Sequence, residues 1–213
     1  MSSRARDIAL QIGMLIAVLA IWEVLARTAV IDPFYLPPPT KIGAALIELF
    51  VSGEIWTHLY ATFGAAMLGL VIGTVIGTVL AVIAVASRAA LLMLEPFMTA
   101  LNAVPRIVLA PLLIIWFGIG IASKVALAVL LVAVLMFFAV FTAISQVDTR
   151  LIDRVRTLGC GKLLLLTEVY IPSVTAVMLA SLKVAVGFAF TGAIVGEFVA
   201  SSRGLGYLLS FAQ

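Results

Sequence analysis

The chain has 213 residues, of which 64% are hydrophobic and 11% charged, with a net charge of +3. Soluble domains carry roughly 25% charged residues, so this composition excludes a dissolved globular protein, and so small a positive excess calls for no nucleic-acid partner. One cysteine (Cys160) and one histidine (His58) exclude a disulfide framework or a zinc cluster built within one chain.

The apolar runs are too long and too uniform for barrel strands, which alternate in segments of about 10 residues. Helices that satisfy their own backbone hydrogen bonds are the remaining way across a bilayer. The fold class read from the sequence is therefore an all-α integral membrane protein, a single transmembrane domain over residues 1–213. Near the N-terminus, Arg4, Arg6 and Asp7 precede an apolar run, Ile8 to Leu25. That run exceeds a signal-peptide core of about 7–15 residues and is interrupted by Gln11, Trp22 and Glu23, so it reads as an uncleaved first span ending near Ala26. Glu23 lies about one helical turn from Arg27.

A proline-rich connection follows, from Asp32-Pro33 to Pro37-Pro38-Pro39, which cannot be regular helix. A short helix is expected from Pro39 or Thr40, with Ile42, Leu46, Ile47 and Phe50 on one face, lying at the membrane interface. The second span, Ala61 to Ala86, carries small residues at every fourth position: Ala61, Ala65, Gly69, Gly73, Gly77 and Ala81. Such a face lets a neighbouring backbone come close, and packing inside one subunit is the preferred explanation.

The third span, Leu91 to Phe117, contains Pro105 and Pro111 and is expected to be kinked or broken near Arg106. Gly118 and Gly120 end it. The fourth span runs from Ala122 to Ile144 and the fifth from Ser173 to Ala200, the latter with Lys183 and Glu197. With the N-terminus in the cytoplasm, the inner segments hold Arg4, Arg6, Arg88, Arg150, Arg154, Arg156 and Lys162. The outer ones hold Arg27, Lys41, Lys124 and Arg203, so the positive-inside rule favours this topology.

Between the last two spans lies a charged stretch, cytoplasmic in this topology. At 100° per residue Leu151, Ile152, Val155 and Leu158 share an arc of about 120°, which describes an amphipathic helix. Asp148 or Thr149 can cap its start, Gly159 and Gly161 offer a left-handed end, and Pro172 is expected to break direction before the fifth span. Pattern alone leaves two roles open: a helix lying on lipid, or a helix docking in a groove of a soluble partner.

Charges inside the membrane cost about 2.5–3.5 kcal/mol or more, so Arg106 and Lys183 should face protein or water, with Glu197 or Glu23 as neutralising partners. One reading is a cationic translocation path suited to anions. The other, preferred, is structural pairing. His58 and Cys160 are given no role. Gly159-Cys160-Gly161-Lys162 lacks both the spacing and the hydroxyl of a phosphate loop, so ATP binding by this chain is not expected. An enzyme is disfavoured for want of clustered histidines, cysteines or acids. The alternative transporter class, a self-contained ion-coupled carrier, is expected to show internal repeats, and no convincing repeat is visible.

The stretch from Asp153 to Gly159, nine intervening residues, and Val169-Tyr170-Ile171-Pro172 resembles the cytoplasmic signature of binding-protein-dependent ABC importer permeases. That signature is Glu-Ala-Ala, three residues, Gly, nine residues, Ile-x-Leu-Pro. Here the glycine-to-proline separation matches, and the triplet is Asp153-Arg154-Val155. Leu36 to Thr40, Val104-Pro105-Arg106 with Ala110-Pro111-Leu112, Trp116 to Gly120 with Ser123-Lys124, and Gly196-Glu197 with Gly204-Leu205-Gly206 are similar to the nitrate/sulfonate/taurine-type branch.

The resemblance implies a type I ABC importer permease fold in a bacterial-type inner membrane, with a coupling loop at 148–172. In it Asp153, Arg154, Val155, Arg156, Leu158, Gly159, Val169, Ile171 and Pro172 would dock on a pair of ATPase subunits that hold the ATP, leaving no cofactor on this chain. It also implies a second permease copy and an external binding protein that delivers a small solute. Basic residues at Arg106 and Lys183 look general to the family. The family usually has a further span after the Gly-Leu-Gly segment, so the sequence is expected to be a truncated, fragmentary or shortened member.

Overall fold

A computed structural model of the protein describes residues 3–28, 30, 32, 34–148, 150, 157 and 161–211, the side chains of residues 3, 5, 106, 107, 162, 163 and 166 excepted. The described residues form helices and no strands. They fall into two compact units, Met1–Trp56 and Thr57–Gln213.

The first unit holds α1 (Ser3–Arg27) and α2 (Pro39–Val51). Along α1 the side chains are almost all exposed, as suits a helix that meets hydrocarbon instead of water. At its end Glu23 pairs with Arg27, and the Glu23 carboxylate also accepts the Thr40 backbone N–H (3.0 Å) and hydroxyl (2.7 Å). Glu23 thus ties the last turn of α1 to the first turn of α2, where an acidic group suits the exposed N–H groups. Between them Asp32 caps its own turn, its Oδ1 accepting the Phe34 N–H at 2.9 Å. Pro39 opens α2 as expected, because its missing N–H is one that a first turn leaves unpaired.

The second unit is built on three long helices: α3 (Glu54–Ala86), α6 (Ile121–Ser145) and α8 (Ile171–Val199). The small-residue stripe of α3 is the face that meets α6. A Cβ on Gly73 would fall 2.7 Å from the Val132 Cβ, and one on Gly77 would strike the Ala133 carbonyl. On the other side of α6, a Cβ on Gly192 of α8 would sit 2.7 Å from the Ala128 Cα. Glycine is needed at these places because backbone and side chain of the neighbour already occupy the space. Phe137, stacked on Phe141 at 5.9 Å and fully buried, fills the core below them.

These contacts fix directions. Residues 69, 73 and 77 meet 128, 132 and 136 in ascending order, so α3 and α6 run parallel. Gly192 meets Ala128 and Gly196 meets Lys124, so α8 runs antiparallel to α6. A chain that leaves α3 at one face and starts α6 at the other must cross in between. That crossing is made by α4 (Arg88–Ala103) and α5 (Arg106–Phe117), which meet at a bend of 111°. Among the described residues four helices are long and apolar enough to span, five with this bent pair, in agreement with the five spans read from the sequence.

One local expectation holds and two are corrected. The break falls at Val104-Pro105, beside Arg106 as expected, while Pro111 sits inside α5, which continues through it to a cap at Gly118 (φ 79°). Pro172 does not turn the chain either. A short α7 (Lys162–Leu165) runs into a five-residue π-helix (Leu166–Tyr170) and then α8, so that Thr167–Val199 forms one apolar span. The wider π turn lies directly ahead of the proline, where the missing N–H and the ring disturb the ordinary i to i−4 pattern. Gly161 is not left-handed, and its carbonyl instead accepts the Leu165 N–H at 3.2 Å.

Candidate functional site

The polar groups of the second unit converge at one end of the helices, where α3 and α6 begin and α8 finishes. Beyond α8 the chain turns through Ser201–Arg203 into α9 (Leu205–Phe211). A seven-residue helix has too few internal hydrogen bonds to persist alone, and its first N–H groups need outside partners. Three consecutive backbone N–H groups find them on side chains of other helices. Gly204 donates to His58 Nδ1 (3.0 Å), Leu205 to Thr62 Oγ1 (2.8 Å) and Gly206 to Glu197 Oε2 (3.0 Å). The Thr62 hydroxyl in turn donates to Glu197 Oε2 at 2.8 Å, so one carboxylate oxygen gathers α3 and the start of α9.

His58 and Thr62 are one turn apart on α3 and lie in the same register as the small-residue stripe below them. Both are buried, and the imidazole stacks on Tyr207 of α9 at 5.8 Å. Because Nδ1 accepts a hydrogen bond, the proton of the neutral ring is on Nε2. Gly204 has φ +120°, and a Cβ there would overlap the Glu197 carboxylate; a Cβ on Gly206 would overlap the Ile194 carbonyl. The Gly-Leu-Gly segment is thus explained by the close approach of a buried acid.

The cation of this cluster comes from α6. Lys124, 7% exposed, donates through Nζ to Ser201 Oγ and to the Arg203 carbonyl (3.1 Å), and it lies within electrostatic reach of Glu197. Ser201 Oγ also accepts the Arg203 N–H at 3.1 Å. Glu197 is fully buried, and its Oε1 has no hydrogen-bond partner among the described residues. A buried carboxylate is tolerable only where a countercharge and donors surround it.

This arrangement corrects three sequence readings. His58, assigned no role, holds the start of α9. Lys124, counted as an outer loop charge, is buried in the first turn of α6. Glu197 cannot neutralise Lys183: fourteen residues of one helix separate them, about 21 Å of rise. Lys183 itself is exposed on α8, and Glu23 is engaged by Arg27. The signal that was available is the register of His58 and Thr62 on the packed face of α3; what hid it is that their partners lie 135 residues or more along the chain.

Of the other sequence-derived residues, Asp153, Arg154, Val155, Arg156, Leu158 and Gly159 lie outside the described residues, as does the Arg106 side chain. Just before them, Asp148 Oδ1 accepts the Arg150 N–H at 2.8 Å. Val169 is buried in the π-helix, while Ile171 and Pro172 are exposed at the start of α8. Near them an apolar cavity of about 430 Å³ opens between Thr78, Val82, Ile144, Tyr170, Val174 and Met178.

Residues 69–213, which include the loop between α6 and α8 and the Lys124, Glu197 and Gly204-Leu205-Gly206 part of the polar cluster, match the family described as binding-protein-dependent transport system inner membrane component. The chain belongs to that family. It is a membrane permease subunit of a binding-protein-dependent ABC importer. Among related permeases, the probable ABC transporter permease protein of Haemophilus influenzae is 32% identical over 92% of this chain and 79% of the relative. The putative aliphatic sulfonates transport permease protein SsuC of Bacillus subtilis is 31% identical over 92% and 71%. The taurine transport system permease protein TauC of Escherichia coli is 27% identical over 98% and 78%. A chain of the inward-facing MetNI methionine ABC transporter shares the permease's fold, with a TM-score of 0.54, 22% identity, and coverage of 77% of this chain and 80% of that one.

Proposed function

We propose that this permease works as one of two identical copies in the inner membrane, its N-terminus in the cytoplasm. It passes a small organic solute, an aliphatic sulfonate or a similar anion, that an external binding protein delivers. The family match over residues 69–213 carries this reading, since it takes in the loop together with Lys124, Glu197 and the Gly-Leu-Gly segment. Relatives named for aliphatic sulfonates and taurine favour a sulfonate-like cargo; others named for riboflavin and for formylaminopyrimidine keep vitamin-related rings on the test panel.

The loop 148–172 is the coupling element. Its arginines and its apolar ridge suit a groove on an ATPase subunit, and the ATP belongs to that subunit. The cytoplasmic position of the loop follows from charge. With Lys124 set aside as a buried group, the outer side keeps only Arg27, Lys41 and Arg203, which widens the inner excess of basic residues. Lys183, exposed on α8 within the hydrocarbon depth, is the cation available to an anionic solute, and Arg106 is its companion beside the α4–α5 break.

The deciding experiment reconstitutes the permease in liposomes with its ATPase and binding protein and follows uptake of taurine, an aliphatic sulfonate, riboflavin and formylaminopyrimidine. ATP-dependent uptake that requires the binding protein is the expected result. Uptake by the permease alone, driven by an ion gradient, overturns the reading.

A further inference from the structure

The polar cluster is more than an anchor for one short segment. Its donors and acceptors come from three different helices: His58 and Thr62 from α3, Lys124 from α6 and Glu197 from α8. All of them grip the backbone of a single short segment. The helices themselves do not need this segment to stay together, because their close packing is supplied further along by Gly69, Gly73, Gly77 and Gly192 against α6. Apolar contacts would have sufficed to seat a seven-residue helix. A buried carboxylate with a buried lysine is a costly way to do so, and it makes the seating directional. Hydrogen bonds to three successive N–H groups hold only while α3 and α8 keep one relative position.

The segment also lies at a defined place. The chain between α6 and α8 leaves from the opposite ends of the same helices, so the Ser201–Phe211 segment is on the membrane face away from the coupling loop. Given the proposed cytoplasmic position of that loop, on which the assignment rests, this is the face where solute is handed over.

We propose that Glu197 is a positioning residue for transport: its carboxylate pins Ser201–Phe211 across the outer ends of α3, α6 and α8, and solute passage at that face depends on the segment staying pinned. Glu197 acts through the backbone of Gly206 and the hydroxyl of Thr62, without touching the solute.

The test uses the intact importer in liposomes, with hydrogen-exchange mass spectrometry and with uptake of the solute that the wild type carries from the panel above. For Glu197→Ala we expect protection to be lost in peptides covering residues 200–211 and kept in α3, α6 and α8, with uptake reduced at least tenfold. Glu197→Gln combined with Lys124→Met retains an acceptor oxygen for Gly206 and Thr62 without leaving a lone buried charge, and is expected to restore protection and to bring uptake within threefold of wild type. Thr62→Val, which removes the shared hydroxyl at similar volume, should repeat the alanine pattern. Wild-type uptake in Glu197→Ala overturns the proposal, and so does protection lost equally across all the helices, which marks a general folding role. Exchange at residues 200–211 requires no solute and no ATPase, so failure of the importer reading leaves a different signature, absent uptake in the wild type itself.

Discussion

Lys124 and Glu197 are one decision made twice. Either charge alone, buried where these side chains are, has lost its water without gaining a full set of partners. Removing one member of a buried pair typically costs about 3–5 kcal/mol, whereas removing both together is often far milder. We therefore expect Lys124→Met to lower stability strongly and Lys124→Met/Glu197→Gln to recover much of the loss. Thermal unfolding of the purified permease in detergent, read as a double-mutant cycle, checks this; additive effects would show that the two charges do not interact. A sequence alone reveals that such residues are expensive, but not whom they serve. Glu197 was legible as a buried ion, and its partners were not, because a hydrogen bond from the Gly206 backbone N–H leaves no mark in the side-chain pattern and the Thr62 hydroxyl lies 135 residues away.

At the level of whole helices, glycine changes meaning with its neighbour. Gly64 has open space where a Cβ would go, while Gly73 has Val132 and the Val129 carbonyl within 3.0 Å. Alanine exceeds glycine in helix propensity by about 0.8–1.0 kcal/mol, so Gly64→Ala should be neutral or stabilising. Gly73→Ala must push α3 from α6 and should destabilise by about 1–3 kcal/mol, as overpacking does. Unfolding of the two variants side by side gives opposite signs if α3 and α6 pack as described, and equal signs if they do not. The stripe on α3 was readable because close packing demands small residues at a fixed spacing. Proline was less informative: of Pro105, Pro111 and Pro172 only the first ends a helix. An isolated proline removes one hydrogen bond, and apolar surroundings that leave the rest of the backbone no partner but itself keep the helix going.

For the molecule as a whole, the spans and the family signature were both legible, since hydrocarbon length and the glycine-to-proline spacing are linear properties of a chain. A break in the third crossing was legible from Pro105 as well, but its 111° bend was not, because the angle is a tertiary feature. The coupling loop carries the prediction at this scale. Arg154→Glu with Arg156→Glu reverses the charge offered to the ATPase without touching a span. Co-purification of the ATPase should fall at least tenfold while membrane insertion is unchanged, and undiminished recovery of the complex would remove the docking role.

Ala128 stands between Gly69 on one side and Gly192 on the other, a single methyl-bearing residue separating two backbones from its own. Each gap is cut for hydrogen, so the three backbones lie unusually close at this level. Packing this close resists shear between α3, α6 and α8 and favours a tilt of the trio as one block. The hinge for such a tilt has to lie outside it, and the uncovered backbone at Val104-Pro105, between two helices already set at an angle, is the joint the fold provides.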